Sequence, residues 1–260
     1  MLLDTGYLFA KDEKRIFVNT CLGCSSSCSY CYLPRMGYKN NSTDLYVRKA
    51  EDIIAEIQSS PVNTDTLITI GCFSECWDEL NKPHTIALIR YFLQQGNQIQ
   101  LATKRKITIE EASKFKDLIT YNGQLCIFVS SATISQWEQI ERNTDSPRER
   151  FGTFEISKTL DIPTILYMKP VLQGITIQDI ETYKQVIDIC GVQDVVVGSI
   201  FTQEKAAETI HFSDKNELFY NEVSDEVKIR TQLLQQQCCK VYSRSSDVMK
   251  WYRERNLGAR

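Results

Sequence analysis

Residues 19–40 read NTCLGCSSSCSYCYLPRMGYKN, and within them Cys21, Cys24, Cys28 and Cys31 place four of the chain's ten cysteines inside eleven residues. The N-terminal stretch MLLDTGYLFAKDEKR has too short an apolar segment and too early a charge for a signal peptide, so the expected compartment is the cytoplasm. Thiols stay reduced there, and a thiol cluster reads as a metal site before a disulfide framework. Two ligand registers are open, Cys21–Cys24–Cys28 and Cys24–Cys28–Cys31. Three thiolates serve three irons, and in a four-iron cubane the fourth iron is left to bind a substrate or cofactor. The small residues between the cysteines let the loop wrap closely. A pair of zinc knuckles is the main competitor, but zinc ribbons separate their pairs by roughly 15 to 20 residues. Here only Ser25, Ser26 and Ser27 intervene, and with Ser29 they make the segment too polar for core cysteines. The ferredoxin run, closed by Cys-Pro, is absent.

Working outward, RIFVN at 15–19 leads into this loop, and further β-rich apolar runs follow: TLITIG at 66–71, QIQLAT at 98–103, LCIFVSS at 125–131, PTILYMK at 163–169 and DVVVGSIF at 194–201. Helical patterns lie between them, roughly at 48–59, 83–96, 108–120, 147–160 and 176–190. Five crossovers linking six parallel strands describe either a doubly wound sheet or an incomplete βα barrel, and periodicity does not separate the two. Both place their working loops at the carboxyl ends of the strands. Those loops are the cysteine cluster, GCFSE at 71–75, TKRK at 103–106, SSAT at 130–133 and KPVLQG at 169–174. Residues 1–200 read as one domain, and the polar residues 201–260 as one or two helices packed on it. No run of eighteen apolar residues predicts a membrane span. With 30 Lys and Arg against 33 Asp and Glu, the net charge of -3 removes the global argument for a nucleic-acid binder while leaving room for a local basic groove. No Ser-His-Asp arrangement, P-loop or G-x-G-x-x-G run occurs, and His84 and His211 read as surface residues.

The spacing Cys24-x3-Cys28-x2-Cys31, with Tyr30 directly before the last cysteine and the loop following a first strand, resembles the signature of the radical S-adenosylmethionine superfamily. Over roughly residues 15–200 the chain resembles its spore photoproduct lyase and DNA repair photolyase branch. That likeness rests on CSYCY, on Gly71-Cys72-Phe73-Ser74-Glu75 after the second strand, on Thr103-Lys104 after the third and on Ser130-Ser131 after the fourth. Asp145 to Phe151 and Lys169 to Gly174 add to it. The resemblance implies a partial (β/α)6, TIM-like barrel with a C-terminal helical extension. It implies a 4Fe-4S cluster on Cys24, Cys28 and Cys31, with S-adenosyl-L-methionine chelating the open iron, and a one-electron donor such as flavodoxin or ferredoxin. By the same resemblance Lys104 pairs with the methionine carboxylate, Tyr30 lies beside the adenine, and Gly71, Ser74 and Ser130 lie along the cofactor. Cys72 takes the place of a hydrogen-atom donor, while Cys21 is a bystander.

Glu75 and Asp78 read as a solvated helix start, with the binding of a polar substrate as the alternative. The C-terminal cations Lys240, Arg244, Lys250, Arg253, Arg255 and Arg260 surround Trp251 and Tyr252. They read as a helix with one packed aromatic face, or as a stretch that meets a nucleotide or phosphate. The expected activity is reductive cleavage of S-adenosylmethionine to a 5'-deoxyadenosyl radical that abstracts hydrogen from a small-molecule or nucleotide-type substrate. Repair of a nucleic-acid lesion is the alternative within the class, and a non-catalytic iron-sulfur or zinc protein the alternative outside it.

Overall fold

The structure is a computed structural model that describes residues 6–12, 14–60, 62–202, 210–213 and 218–257. In chain order its elements are β1 (Leu8–Asp12), β2 (Arg15–Val18), the two-residue β3 (Ser27–Cys28), α1 (Ala50–Ser59), β4 (Leu67–Ile70), α2 (Lys82–Gln94), β5 (Ile99–Thr103) and α3 (Ile109–Lys116). Next come β6 (Leu125–Ser130), α4 (Trp137–Ile140), the two-residue β7 (Glu141–Arg142), α5 (Pro147–Phe151), α6 (Glu155–Leu160), β8 (Thr164–Met168), α7 (Ile180–Cys190) and β9 (Asp194–Val197). The last part holds β10 (Ile200–Thr202), β11 (Ile210–Ser213), β12 (Leu218–Asn221), α8 (Ser224–Gln236), β13 (Lys240–Tyr242) and α9 (Ser245–Leu257).

An eight-stranded, mostly parallel sheet runs in the order β1-β2-β4-β5-β6-β8-β9-β13. Only β1 is antiparallel, pairing with β2 as an edge hairpin. The six strands read from the apolar runs stand side by side in chain order, and β13 extends them in parallel. Parity along the strands assigns the faces. Ile68 and Ile70, Ile99 and Leu101, Ile127 and Val129, and Leu166 and Met168 meet the apolar sides of α1, α2, α3, α6, α7 and α8 in one core. The intervening residues face the other way. Because sequential strands send every crossover to the same side, the crossover helices cover one face alone, which is the βα-barrel arrangement and not the doubly wound one.

Local signals explain several boundaries. Thr108 with Glu111 and Ser146 with Glu149 form capping boxes that start α3 and α5, and Pro147 occupies the first turn of α5. α7 stops at Gly191, whose φ of 66° suits glycine. The single helix expected over 147–160 is divided, with a 3-10 turn at Gly152–Phe154 between α5 and α6.

Residues 201–260 depart from the helices-only expectation. β10, β12 and β11 form a small antiparallel sheet, and β13 enters the main sheet beside β9. These strands are three or four residues long, too short for an alternation to register in sequence. α9 packs Val248, Met249 and Tyr252 against Leu67, Cys126, Phe128, Ile165 and Val196, the apolar residues of the face that the other helices leave bare. Tyr252 donates to Asp194 (2.8 Å) and Gln98 donates to the Met249 carbonyl (2.9 Å), so α9 closes that face near the amino ends of the strands. Among the described residues no helix is long and apolar enough to cross a membrane.

Behind β6, the Asp179 carboxylate accepts hydrogen bonds from Thr133 Oγ1 (2.6 Å), Ile134 N (2.7 Å) and Ser135 N (3.2 Å), fixing the loop that leaves the strand. Burial alone would push this carboxyl up, but these donors hold it below the ordinary aspartate range. A carboxyl depressed in the folded state contributes stability above its unfolded titration range and loses it as the pH falls. Asp179→Asn is therefore expected to lower stability at pH 7 by about 1–3 kcal/mol and to flatten the acid side of the stability profile, as read by urea unfolding at a series of pH values.

Candidate functional site

A cavity of about 610 Å3 opens on the inner face of the sheet. Parity puts its lining there: Arg15 and Phe17 on β2, Thr69 on β4, Gln100 and Ala102 on β5, and Tyr167 on β8 all point inward. The carboxyl-end loops form its upper rim. Cys24, Cys28 and Cys31 line the cavity together, half-buried and free of disulfides. Burial pushes the Cys24 and Cys28 thiols up to about 11 and raises Cys31 as well. Cys21 is fully buried, paired through its backbone with Val47, and does not line the cavity. Of the two registers open in the sequence, only Cys24–Cys28–Cys31 shares one space. Among the described residues no group of three or more His, Cys, Asp or Glu side chains gathers around a single-ion site.

Tyr30, Gly71, Cys72, Ser74, Lys104 and Ser130 line the same cavity. Gly71 has φ +85°, and a Cβ there would lie 2.6 Å from Cys76 Sγ, so only glycine lets the chain turn from β4 into the rim. Ser74 is buried, and its Oγ has no hydrogen-bond partner. The Lys104 ammonium lies 5.6 Å from the centre of the Tyr30 ring. Burial opposes its charge, but Cys28, Glu141 and Glu75 around it outweigh that and raise its pKa. Tyr32 donates its hydroxyl to the Cys72 carbonyl and holds it 3.5 Å from the Cys72 sulfur.

Glu75 corrects the reading of a solvated helix start. It is buried, and its carboxylate accepts from Thr103 Oγ1, Lys104 N (2.9 Å) and Trp77 N (3.2 Å), which fixes where Lys104 leaves β5. Asp78 is half-buried and accepts from Asn81 N (2.9 Å) just before α2 and from Ser25 Oγ (3.1 Å). His84 is half-buried, and its Nδ1 accepts from Ala50 N (3.3 Å) at the start of α1. The His211 side chain and Arg260 lie outside the described residues. The packed aromatic face of α9 is present, with Trp251 and Tyr252 in edge contact at 4.8 Å and Lys240 over the Trp251 ring at 3.5 Å.

Sequence reasoning missed the ion pair beneath the rim. Glu141 and Arg150 are both fully buried, joined at 2.8 Å. Glu141 also accepts from Tyr30 Oη and Ala132 N (3.2 Å), while Arg150 donates to the Ser130 carbonyl (2.6 Å). The β3–β7 ladder adds a backbone link between the cysteine loop and the segment after β6. Arg150 stands in a surface-like run, PRERF, and nothing local distinguishes it from the exposed Arg148.

Neither a family model nor a curated protein matches the sequence. Solved structures do match. A cysteine-to-serine mutant of spore photoproduct lyase superposes with a TM-score of 0.65 at 14% identity, covering 90% of this chain and 78% of that one. The fold is the one spore photoproduct lyase adopts. A double mutant of spore photoproduct lyase with bound AdoMet and dinucleoside spore photoproduct gives a TM-score of 0.63 at 15% identity over 90% of this chain and 78% of the other. Streptococcus suis SuiB bound to S-adenosylmethionine gives 0.58 at 9% identity, covering 92% of this chain and 52% of SuiB. The likeness to spore photoproduct lyase at these identities is one of fold.

Removing one member of a buried ion pair leaves the other charged and unsolvated. Arg150→Leu is expected to lower stability by about 3–5 kcal/mol, and the double change Glu141→Leu/Arg150→Leu to recover part of that loss, both measured by denaturant unfolding.

Proposed function

We propose that the protein is a radical S-adenosylmethionine enzyme built on a partial (β/α)6 barrel, carrying a 4Fe-4S cluster and acting on a small-molecule or nucleotide-type substrate. The observation that carries this reading is that Cys24, Cys28 and Cys31 face one cavity together with Lys104 and the unpartnered Ser74 hydroxyl, while Cys21 is shut out. The residues fit the group. Thiolates are soft ligands suited to iron-sulfur clusters, and three of them leave one iron open for the amino and carboxylate groups of S-adenosylmethionine.

Cys24, Cys28 and Cys31 would hold the cluster, and Lys104, anchored by its backbone to Glu75, would pair with the carboxylate of S-adenosylmethionine. Ser74 Oγ offers the cofactor a hydrogen bond that no residue claims. Tyr30, whose hydroxyl is tied to Glu141, lines the cavity beside them, and Gly71 and Ser130 border the same space. When bound, the cluster and S-adenosylmethionine supply one-electron cleavage to a carbon radical that abstracts hydrogen from the substrate. The protein's part is to hold the substrate near that radical and to keep water and stray donors away. Cys72 is suited to return a hydrogen atom, because a thiol S–H bond is weak and Tyr32 fixes the residue at the cavity wall. The electron comes from a cytoplasmic donor of the flavodoxin or ferredoxin class.

Anaerobic reconstitution with iron and sulfide is the test. Four irons per chain, a reduced-cluster paramagnetic signal that changes on adding S-adenosylmethionine, and release of 5'-deoxyadenosine are expected. Cys28→Ala is expected to lose all three and Cys21→Ala to retain them. Zinc in place of iron, or a cluster indifferent to S-adenosylmethionine, would overturn the proposal.

A further inference from the structure

One wall of the cavity is cationic. Arg15, the first residue of β2, points inward and donates from Nε to Thr69 Oγ1 (2.9 Å) and from Nη2 to Gln100 Oε1 (3.2 Å), with its guanidinium 4.7 Å from the centre of the Phe17 ring. All of these partners are neutral, so no carboxylate among the described residues balances its charge. Arg244 lines the same cavity, and its guanidinium makes no hydrogen bond or ion pair among the described residues. Both guanidinium groups line one cavity with Tyr220. Lys169 reaches it as well, donating to Tyr220 Oη (3.0 Å). Arg230, also on the wall, is neutralised by Glu222 and Glu226.

The chain around Arg244 reads Ser243-Arg244-Ser245-Ser246, and all four residues line the cavity as α9 begins. A thirteen-residue helix thus starts at the cavity, with its first N–H groups and their partial positive charge beside the two arginines. Asp247, the acid of that first turn, is exposed to solvent.

We propose that this wall of the cavity binds a phosphate monoester carried by the substrate, gripped by Arg15 and Arg244 at the start of α9. The inference rests on the function proposed above, and names the chemical class of what that cavity takes. Two guanidinium forks, serine hydroxyls and a helix N-terminus offer more donors than the two oxygens of a carboxylate accept, whereas a phosphate has three terminal oxygens and close to two negative charges at pH 7. A cavity of about 610 Å3 holds a small phosphorylated molecule and does not admit a duplex. A phosphate held there leaves the rest of the substrate in the cavity that Cys72 and the cysteine loop also line.

Calorimetric titration of the full-length protein with inorganic phosphate tests this, with acetate and a short single-stranded oligonucleotide as comparisons. Phosphate is expected to bind more tightly than either, and Arg15→Gln and Arg244→Gln each to weaken it by about tenfold. Arg244 is exposed, so Arg244→Gln decides the matter if Arg15→Gln fails to fold. Absence of phosphate binding overturns the inference, as does phosphate binding unchanged in Arg244→Gln, acetate binding as tightly, or tighter binding of the oligonucleotide. Release of 5'-deoxyadenosine, followed in the same preparations, separates the two readings. Cleavage without phosphate binding removes only the phosphate site, and phosphate binding without cleavage removes the radical chemistry.

Discussion

A parallel sheet that carries its crossover helices on one side has a second face that must also be kept from collapsing or filling with water. In this protein that constraint is met at two levels. Near the amino ends of the strands the bare face is apolar and α9 covers it. Towards the carboxyl ends its residues become polar or small, and only the start of α9 borders them. The cavity is the part of the sheet left between the helix and the cysteine loop.

The rim is held by charges that never meet solvent. Glu141 and Arg150 join the cysteine loop to the end of β6, and Glu75 joins the loop after β4 to the end of β5. Each carboxylate accepts from a backbone N–H, so a rearrangement of either loop would strand a buried donor as well as a charge. Such cross-links convert loops, ordinarily the most mobile part of a βα unit, into fixed supports for the thiols and for Lys104.

Much of this was legible in the residues. The six apolar runs are six adjacent strands, because buried parallel strands need continuous hydrophobic stretches that few other elements show. Cys24, Cys28, Cys31, Tyr30, Gly71, Cys72, Ser74, Lys104 and Ser130 come together because each follows or ends a strand, and the sheet brings all such ends to one side. What stayed hidden has a common cause. Arg150, Glu75 and Arg15 look like surface charges in a one-dimensional reading, since nothing local reveals that a charge has found a partner, or an inward register, far along the chain. The short strands after residue 200 and the role of α9 are settled by long-range pairing, to which periodicity is blind.

The position of α9 also has a consequence in time. The thiols of the cysteine loop leave the ribosome more than two hundred residues before the helix that seals the opposite end of the sheet. At ordinary synthesis rates that interval is on the order of ten to forty seconds. During it β9 lacks its neighbour β13, and the inner residues of the sheet have only solvent or other proteins to meet. A nascent chain of this kind is open at the bottom and reactive at the top, so its exposure to oxygen and to aggregation is set by how fast its final helix is made.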